Sequence, residues 1–187
     1  LKNGCNFILF MPELFLKLKI INELARIILK GKNIGDFILG KPVQLFERAI
    51  AEYAGSKYAF GVASGTDALI LSLKALDIGP GDEVIVPAVG FYSTAGAISW
   101  VNANPVFVDV SPKDHNIDIS KIESTITSKT KAIIVAHLNG RMVDMDKILK
   151  IANDKSLKVI VDASHAIGSR YKNEPIGNFG DLICLSL

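Results

Sequence analysis

Short apolar runs alternate with stretches whose apolar residues recur at helical spacing along most of this sequence. A short apolar run bounded by turn residues is typical of a buried strand, whereas apolar residues three and four positions apart indicate a helix. Strands separated by helices form parallel sheets, so we predict a three-layer α/β/α fold with a mostly parallel sheet. The predicted strands are residues 58–62, 83–86, 105–108, 131–136, 158–161 and 182–185, and the predicted helices are residues 42–54, 67–76, 93–101, 121–126 and 145–153.

The first part of the chain has a different pattern. Residues 7–29 are rich in apolar side chains, but polar residues such as Lys17, Glu23 and Arg26 interrupt them. No apolar run approaches the ~20 residues that a membrane-spanning helix needs. The remaining apolar positions recur at helical spacing and predict an amphipathic helix that packs on a core or a partner subunit. We therefore assign residues 1–36 to an N-terminal amphipathic helical segment and predict no association with membranes.

Composition and charge narrow the class of protein. The chain has 187 residues, is 49% hydrophobic and 21% charged, and carries a formal net charge of +2, which is an ordinary globular composition. Its positive charges are scattered rather than gathered in a stripe, so we predict no binding of nucleic acid. Cys5 and Cys184 lie far apart and form no CxxC motif. This cysteine usage predicts no disulfide framework and favours a reducing, cytoplasmic location.

Residues that directly follow strands are the candidates for chemistry, because ligands of parallel sheets bind beyond the carboxyl ends of the strands. Ser64, Gly65 and Thr66 follow one predicted strand and begin a helix. They are either an anion site, for which phosphate is suited, or a plain helix cap. Asp162 ends the run KVIVD. Its carboxylate either binds a ligand or caps the following turn.

The three histidines do not predict a metal site. His115 lies in a polar loop and is expected to be solvated, His137 ends a strand, and His165 comes three residues after Asp162. No pair of these side chains has the i, i+4 spacing that places two metal ligands on one face of a helix. We therefore predict no bound metal.

Four blocks of the sequence resemble the DegT/DnrJ/StrS family in their order and spacing. They are FERAIAEYAGSKYAFGVASGTDALILSLKALDIGPGDEVIVP, NPVFVDV, NIDISKIESTITSKTKAIIVAHLNGRMVDMDKI and LKVIVDASHAIGSRYKNEPIGNFGD. The members are fold-type I aminotransferases that depend on pyridoxal 5'-phosphate (PLP) and act on nucleotide-linked keto sugars. The resemblance implies that residues 37–187 are a PLP-binding large domain, incomplete at its C-terminal end.

The resemblance also implies roles for six cofactor-binding residues. Gly65 and Thr66 correspond to the turn that binds the phosphate, and Ser186 corresponds to a second phosphate ligand. Asp162 corresponds to the aspartate that pairs with the pyridine nitrogen and keeps it protonated. The other two residues, Phe91 and His165, are expected to touch the cofactor ring.

Those two residues differ in how closely they follow the family pattern. Phe91 lies where the family places an aromatic ring against the cofactor, and such a ring excludes water and fixes the cofactor plane. His165 lies where most members have a glutamine that contacts the ring hydroxyl. An imidazole also forms this hydrogen bond, but unlike an amide it titrates near neutral pH.

Catalytic residues are expected to be absent from this chain. In the family, the lysine that forms the Schiff base lies a few residues beyond the serine that matches Ser186, and this chain ends at Leu187. The C-terminal small domain is also expected to be missing. We therefore expect a fragment that is inactive by itself, because the lysine is needed to bind the cofactor covalently and to move protons.

For the intact protein, the resemblance implies amino transfer from an amino acid, glutamate, to a nucleotide-linked keto sugar in surface-polysaccharide or deoxyaminosugar biosynthesis. It also implies a homodimer. Two alternatives stay open, since a fold does not determine a function. One is a PLP-dependent sugar dehydratase of the same family, in which histidine replaces the lysine. The other is a non-catalytic regulatory or binding protein.

Overall fold

The computed structural model describes residues 40–187. The predicted segment 1–36 and Cys5 lie outside the described residues. The helices are α1 (Lys41–Ala54), α2 (Gly65–Ala75), α3 (Tyr92–Trp100), α4 (Ile119–Ile122) and α5 (Met145–Lys155). The strands are β1 (Glu83–Pro87), β2 (Asn104–Val108), β3 (Thr130–Ala136), β4 (Lys158–Asp162), β5 (Arg170–Tyr171), β6 (Glu174–Pro175) and β7 (Leu182–Cys184).

Five strands form one parallel sheet in the order β2-β1-β3-β4-β7. In its central part, Ala136 of β3 lies opposite Asp162 of β4, and Asp162 lies opposite Cys184 of β7. The three strands therefore end at the same edge of the sheet. Strands β5 and β6 form a separate antiparallel hairpin. The parallel sheet confirms the predicted fold class.

Successive residues of each central strand face opposite layers of the molecule, which is the alternation expected of a strand. One face packs against α2 and α3, and the other face packs against α5. The first core includes Leu69, Leu73, Val84, Ala97, Ile98, Ile134 and Ile160, and the second includes Ile85, Ile133, Val135, Met145, Ile148 and Val159. Helices on both faces of the sheet confirm the three-layer arrangement.

The predicted strand over residues 58–62 is wrong. This segment forms no strand with the other described residues, and Phe60 is 81% exposed. Its backbone bonds to a side chain instead, since the Gly61 N–H donates to Oε1 of Glu47 at 2.8 Å. An apolar, β-branched pattern favours a strand only where a neighbouring strand supplies partners for the backbone. Within residues 40–187, no strand lies beside this segment to supply them.

The predicted helix over residues 121–126 is also different in the structure. A one-turn helix, Ile119–Ile122, passes into a 3₁₀ turn, Glu123–Thr125. The hydroxyl groups of Ser124 and Thr125 donate to backbone carbonyl oxygens of the preceding turn. Such bonds compete with the regular helical pattern, so the helix tightens and ends early.

Within residues 40–187, no helix is both long enough and apolar enough to cross a membrane.

Candidate active site

Asp162 is the last residue of β4, and its carboxylate is held by three donors. Oδ2 accepts the hydroxyl of Thr94 at 2.7 Å, while Oδ1 accepts the hydroxyl of Ser164 at 2.7 Å and its N–H at 3.2 Å. The residue is only 7% exposed. A buried carboxylate needs such partners, because an unpaired one is costly to remove from water. The three bonds hold the Asp162 carboxylate in one orientation at the sheet edge.

The sequence analysis did not identify the two residues that hold Asp162. Thr94 lies in the first turn of α3, and its distance from Asp162 along the chain hides the contact from any local pattern. Ser164 is different, because it follows Asp162 by two positions. An aspartate that binds the backbone two residues ahead is a recognised turn signal, and it would have indicated Ser164.

A cleft opens beside Asp162 at the carboxyl ends of the strands. Its volume is about 250 Å³, including the open solvent at its mouth. Phe91, at the start of α3, is exposed and lies against Tyr92, with 4.5 Å between the two ring centroids. The cleft thus brings together Phe91, Asp162 and His165, three of the predicted cofactor-binding residues. Its lining residues are Phe91, Thr94, Ala136, His137, Leu138, Asp162, Ser164 and His165.

The N-terminus of α2 lies close to Ser186. Ser64 caps this helix by accepting the Asp67 N–H at 3.1 Å, so the plain capping interpretation is correct for Ser64. A Cβ atom placed on Gly65 would lie 3.0 Å from Cβ of Ser186 and 3.4 Å from Oγ of Ser164. Glycine at position 65 therefore lets two serine side chains lie close to the helix N-terminus. Free N–H groups and nearby hydroxyls are the features of a phosphate site.

His137 directly follows β3 and is almost fully buried, with 1% of its surface exposed. Burial is the main reason that its pKa is lowered to about 4, and the negative charge of Asp162 only partly opposes this shift. The imidazole is therefore neutral at pH 7. His115, in contrast, is exposed, as predicted.

Cys184, the last residue of β7, does not add a nucleophile to the site. Burial raises the pKa of its thiol to about 11, although the contact with Ser72, 3.3 Å between Oγ and Sγ, acts in the opposite direction. A thiol in this state is almost entirely protonated at neutral pH and is a poor nucleophile. In the part of the chain that the structure describes, no cluster of three or more histidine, cysteine or acidic side chains is suited to a metal ion.

A family model decides what kind of protein this is. The model of the DegT/DnrJ/EryC1/StrS aminotransferase family matches residues 19–187. The chain belongs to this family. DegT/DnrJ/EryC1/StrS aminotransferases depend on PLP, which confirms the cofactor that the sequence analysis predicts.

Several named proteins are similar to the chain in sequence or in fold. The UDP-N-acetyl-3-dehydro-alpha-D-glucosamine 3-aminotransferase of Acidithiobacillus ferrooxidans is 47% identical over 158 residues, 83% of this chain and 43% of that protein. The pleiotropic regulatory protein of Geobacillus stearothermophilus is 44% identical over 158 residues, which are 84% of this chain and 42% of that protein. The solved structure of NtdA of Bacillus subtilis, with bound pyridoxamine phosphate (PMP), matches with a TM-score of 0.75 at 39% identity. The match covers 81% of this chain and 34% of NtdA.

The chain therefore spans less than half the length of the curated relatives it matches. The residues it contains fit a PLP group. Asp162 supplies a fixed acceptor for a protonated ring nitrogen. Phe91 supplies an exposed aromatic face, and the serine hydroxyls beside Gly65 adjoin a helix N-terminus suited to phosphate.

Proposed function

We propose that the protein transfers an amino group from glutamate to a nucleotide-linked keto sugar. The observation that carries this proposal is the buried Asp162 carboxylate, held by Thr94 and Ser164 beside the exposed ring of Phe91. A carboxylate that keeps a pyridine nitrogen protonated is what amino transfer needs from the protein, because protonated PLP acts as an electron sink. The named sugar aminotransferase among the relatives supports the same substrate class.

Six residues form the proposed cofactor site. Asp162 holds the proton at the ring nitrogen, and Phe91 covers one side of the ring and excludes water from it. His165, exposed at the cleft, contacts the ring oxygen. Backbone N–H groups at the start of α2 bind the phosphate, together with side-chain hydroxyls. The phosphate-binding residues are Gly65, Thr66 and Ser186.

Several properties of the intact protein belong to this proposal. It works in the cytoplasm as a homodimer, in surface-polysaccharide or deoxyaminosugar biosynthesis, and binds neither nucleic acid nor membranes. The fold of this chain, with a cleft at the carboxyl ends of β3 and β4, supplies one wall of the active site.

Binding of PMP to the full chain tests the cofactor site. PMP is the suitable probe because its amine cannot form an imine with surface lysines. Gly65→Ala places a methyl group between α2 and Ser186, and should weaken binding about tenfold, since overpacking of this size costs about 1–3 kcal/mol.

The matched control is Gly96→Ala, because a Cβ atom on Gly96 meets nothing within 4 Å. This variant should bind PMP as the wild-type chain does. Equal affinities for all three proteins, measured by fluorescence titration, would contradict the phosphate site at Gly65. Failure of the wild-type chain to bind PMP at all would contradict the proposed function.

One relative favours a second candidate function. The Geobacillus protein is named a pleiotropic regulatory protein, so a regulatory role on the same fold is the alternative. Incubation of the intact protein with glutamate and a UDP-linked 3-keto sugar distinguishes the candidates. An amino sugar found by mass spectrometry supports the transferase, a dehydrated sugar indicates the dehydratase, and unchanged sugar indicates the regulatory protein.

A further inference from the structure

One buried hydrogen-bonding atom of His137 has no partner among residues 40–187. The residue borders the cleft beside Asp162. Its Nδ1 accepts the backbone N–H of Val143 at 3.3 Å, whereas its Nε2 has no partner among the described residues. Buried polar groups in native proteins almost always have a partner, and an exception indicates a role or a bound molecule. The residue that carries this atom borders the proposed cofactor cleft.

The contact with Val143 determines which nitrogen of His137 carries the proton. A backbone N–H only donates, so Nδ1 must be the acceptor. A neutral imidazole has one donor and one acceptor, so its proton lies on Nε2. Protonation of Nδ1 would place two N–H groups against each other, and burial already keeps the ring neutral at pH 7. Nε2 is therefore a permanent donor.

Few atoms of a bound PLP molecule can accept a hydrogen bond from this donor. Its protonated ring nitrogen is itself a donor and matches Asp162. Its phosphate matches the start of α2, at Gly65 and Thr66. The 3-oxygen of the ring and the group at position 4 remain. The group at position 4 changes chemically during amino transfer, while the 3-oxygen stays an acceptor throughout.

Building on the proposed function, we infer that the Nε2–H group of His137 donates a hydrogen bond to the 3-oxygen of the bound pyridine ring. His137 is thus a cofactor-binding residue in addition to the predicted His165. The two imidazoles have different surroundings, because His137 is buried and held by Val143 while His165 is exposed. The 3-oxygen has two lone pairs and accepts from both side chains.

Two ligands that differ by one oxygen test this inference in the full chain. PMP and its 3-deoxy analogue are titrated against each protein, and the ratio of their dissociation constants measures recognition of the 3-oxygen. The wild-type chain should prefer PMP by about tenfold, as one buried hydrogen bond predicts. His137→Phe should reduce this preference to about twofold or less, since it removes the donor.

Two further variants control the comparison. His137→Asn retains an acceptor for Val143 and a donor for the ligand, so it should keep part of the preference. His115→Phe changes an exposed imidazole and should keep all of it. If His137→Phe preferred PMP over the 3-deoxy analogue as strongly as the wild-type chain does, this inference would be overturned and the proposed function would stay intact. Binding of neither ligand by the wild-type chain would overturn both.

The wild-type chain alone provides a second test, which does not depend on the folding of a variant. In ¹⁵N NMR spectra, the Nε2–H signal of His137 should shift on addition of PMP and show protection from exchange with water. The 3-deoxy analogue should not produce this change. The same spectrum with both ligands would contradict a hydrogen bond to the 3-oxygen.

Discussion

Strand β4 and the segment 58–62 have similar sequences but different structures. The runs KVIVD and YAFGV are both short, apolar and rich in residues that favour strands. β4 lies between β3 and β7, and its Ile160 is 0% exposed. Phe60, in contrast, is 81% exposed, in a segment that pairs with no strand of residues 40–187. An apolar run therefore becomes a strand only where neighbouring strands form hydrogen bonds with its backbone. The sequence of the run does not determine whether such neighbours are present.

The largest expected effect distinguishes these two regions directly. Ile160→Ala should lower the free energy of unfolding by about 2–5 kcal/mol, because it leaves a cavity between β4 and the α2–α3 layer. Phe60→Ala removes a larger side chain, but it should change stability by less than about 0.5 kcal/mol because that side chain is exposed. Urea denaturation measures both values. Equal losses would show that the segment 58–62 is packed in solution.

A pH titration examines the buried end of β3. The pKa of His137 is lowered from 6.5 to about 4, so the unfolded chain binds this proton first as the pH falls. The contribution of His137 to the free energy of unfolding is therefore fully present above about pH 6.5. This contribution is lost as the pH falls to about 4, by about 3 kcal/mol in total.

The variant His137→Asn is the control for this titration, because its amide does not titrate while the other ionisable groups stay the same. Urea denaturation at pH 7 and pH 4.5 should show the wild-type chain losing about 2–3 kcal/mol more than the variant. Parallel losses in the two proteins would mean that His137 is not held neutral by burial.

Thr94 tests the link between α3 and the end of β4. Thr94→Val keeps the shape of the side chain but removes the donor to Asp162, so it should cost about 1–3 kcal/mol of stability. Thr94→Ser keeps a hydroxyl and should cost less. Thermal or urea unfolding gives the comparison. A Val variant as stable as the Ser variant would show that the bond to Asp162 does not contribute.

Ser64 gives the smallest expected effect, at the point where the exposed segment meets α2. Ser64→Ala removes the cap that accepts the Asp67 N–H and should cost about 1 kcal/mol. Ser64→Asp retains an acceptor at the helix N-terminus and should restore most of this stability. No difference between the two variants would mean that the first turn of α2 is held by packing rather than by its cap.

The sequence predicted those parts of the fold and site whose signals are local. The strand–helix alternation predicted the parallel sheet, and the position of Asp162 at the end of KVIVD placed it at the sheet edge, where the structure has it. Thr94 was missed because its hydroxyl reaches Asp162 through the packing of α3, which no spacing along the chain reveals. The segment 58–62 was assigned wrongly for the same reason, since strand formation depends on a neighbour.

Local sequence signals determined the layers and the family, because periodicity and motif order are properties of neighbouring residues. The tertiary structure alone decided which polar groups meet. It brought Gly65 to Ser186, joined Thr94 to Asp162, and buried His137 with no partner for its Nε2 in the described part of the chain. The physical reason is that hydrogen bonding and burial depend on distances in space, which residues far apart in the chain acquire only by folding.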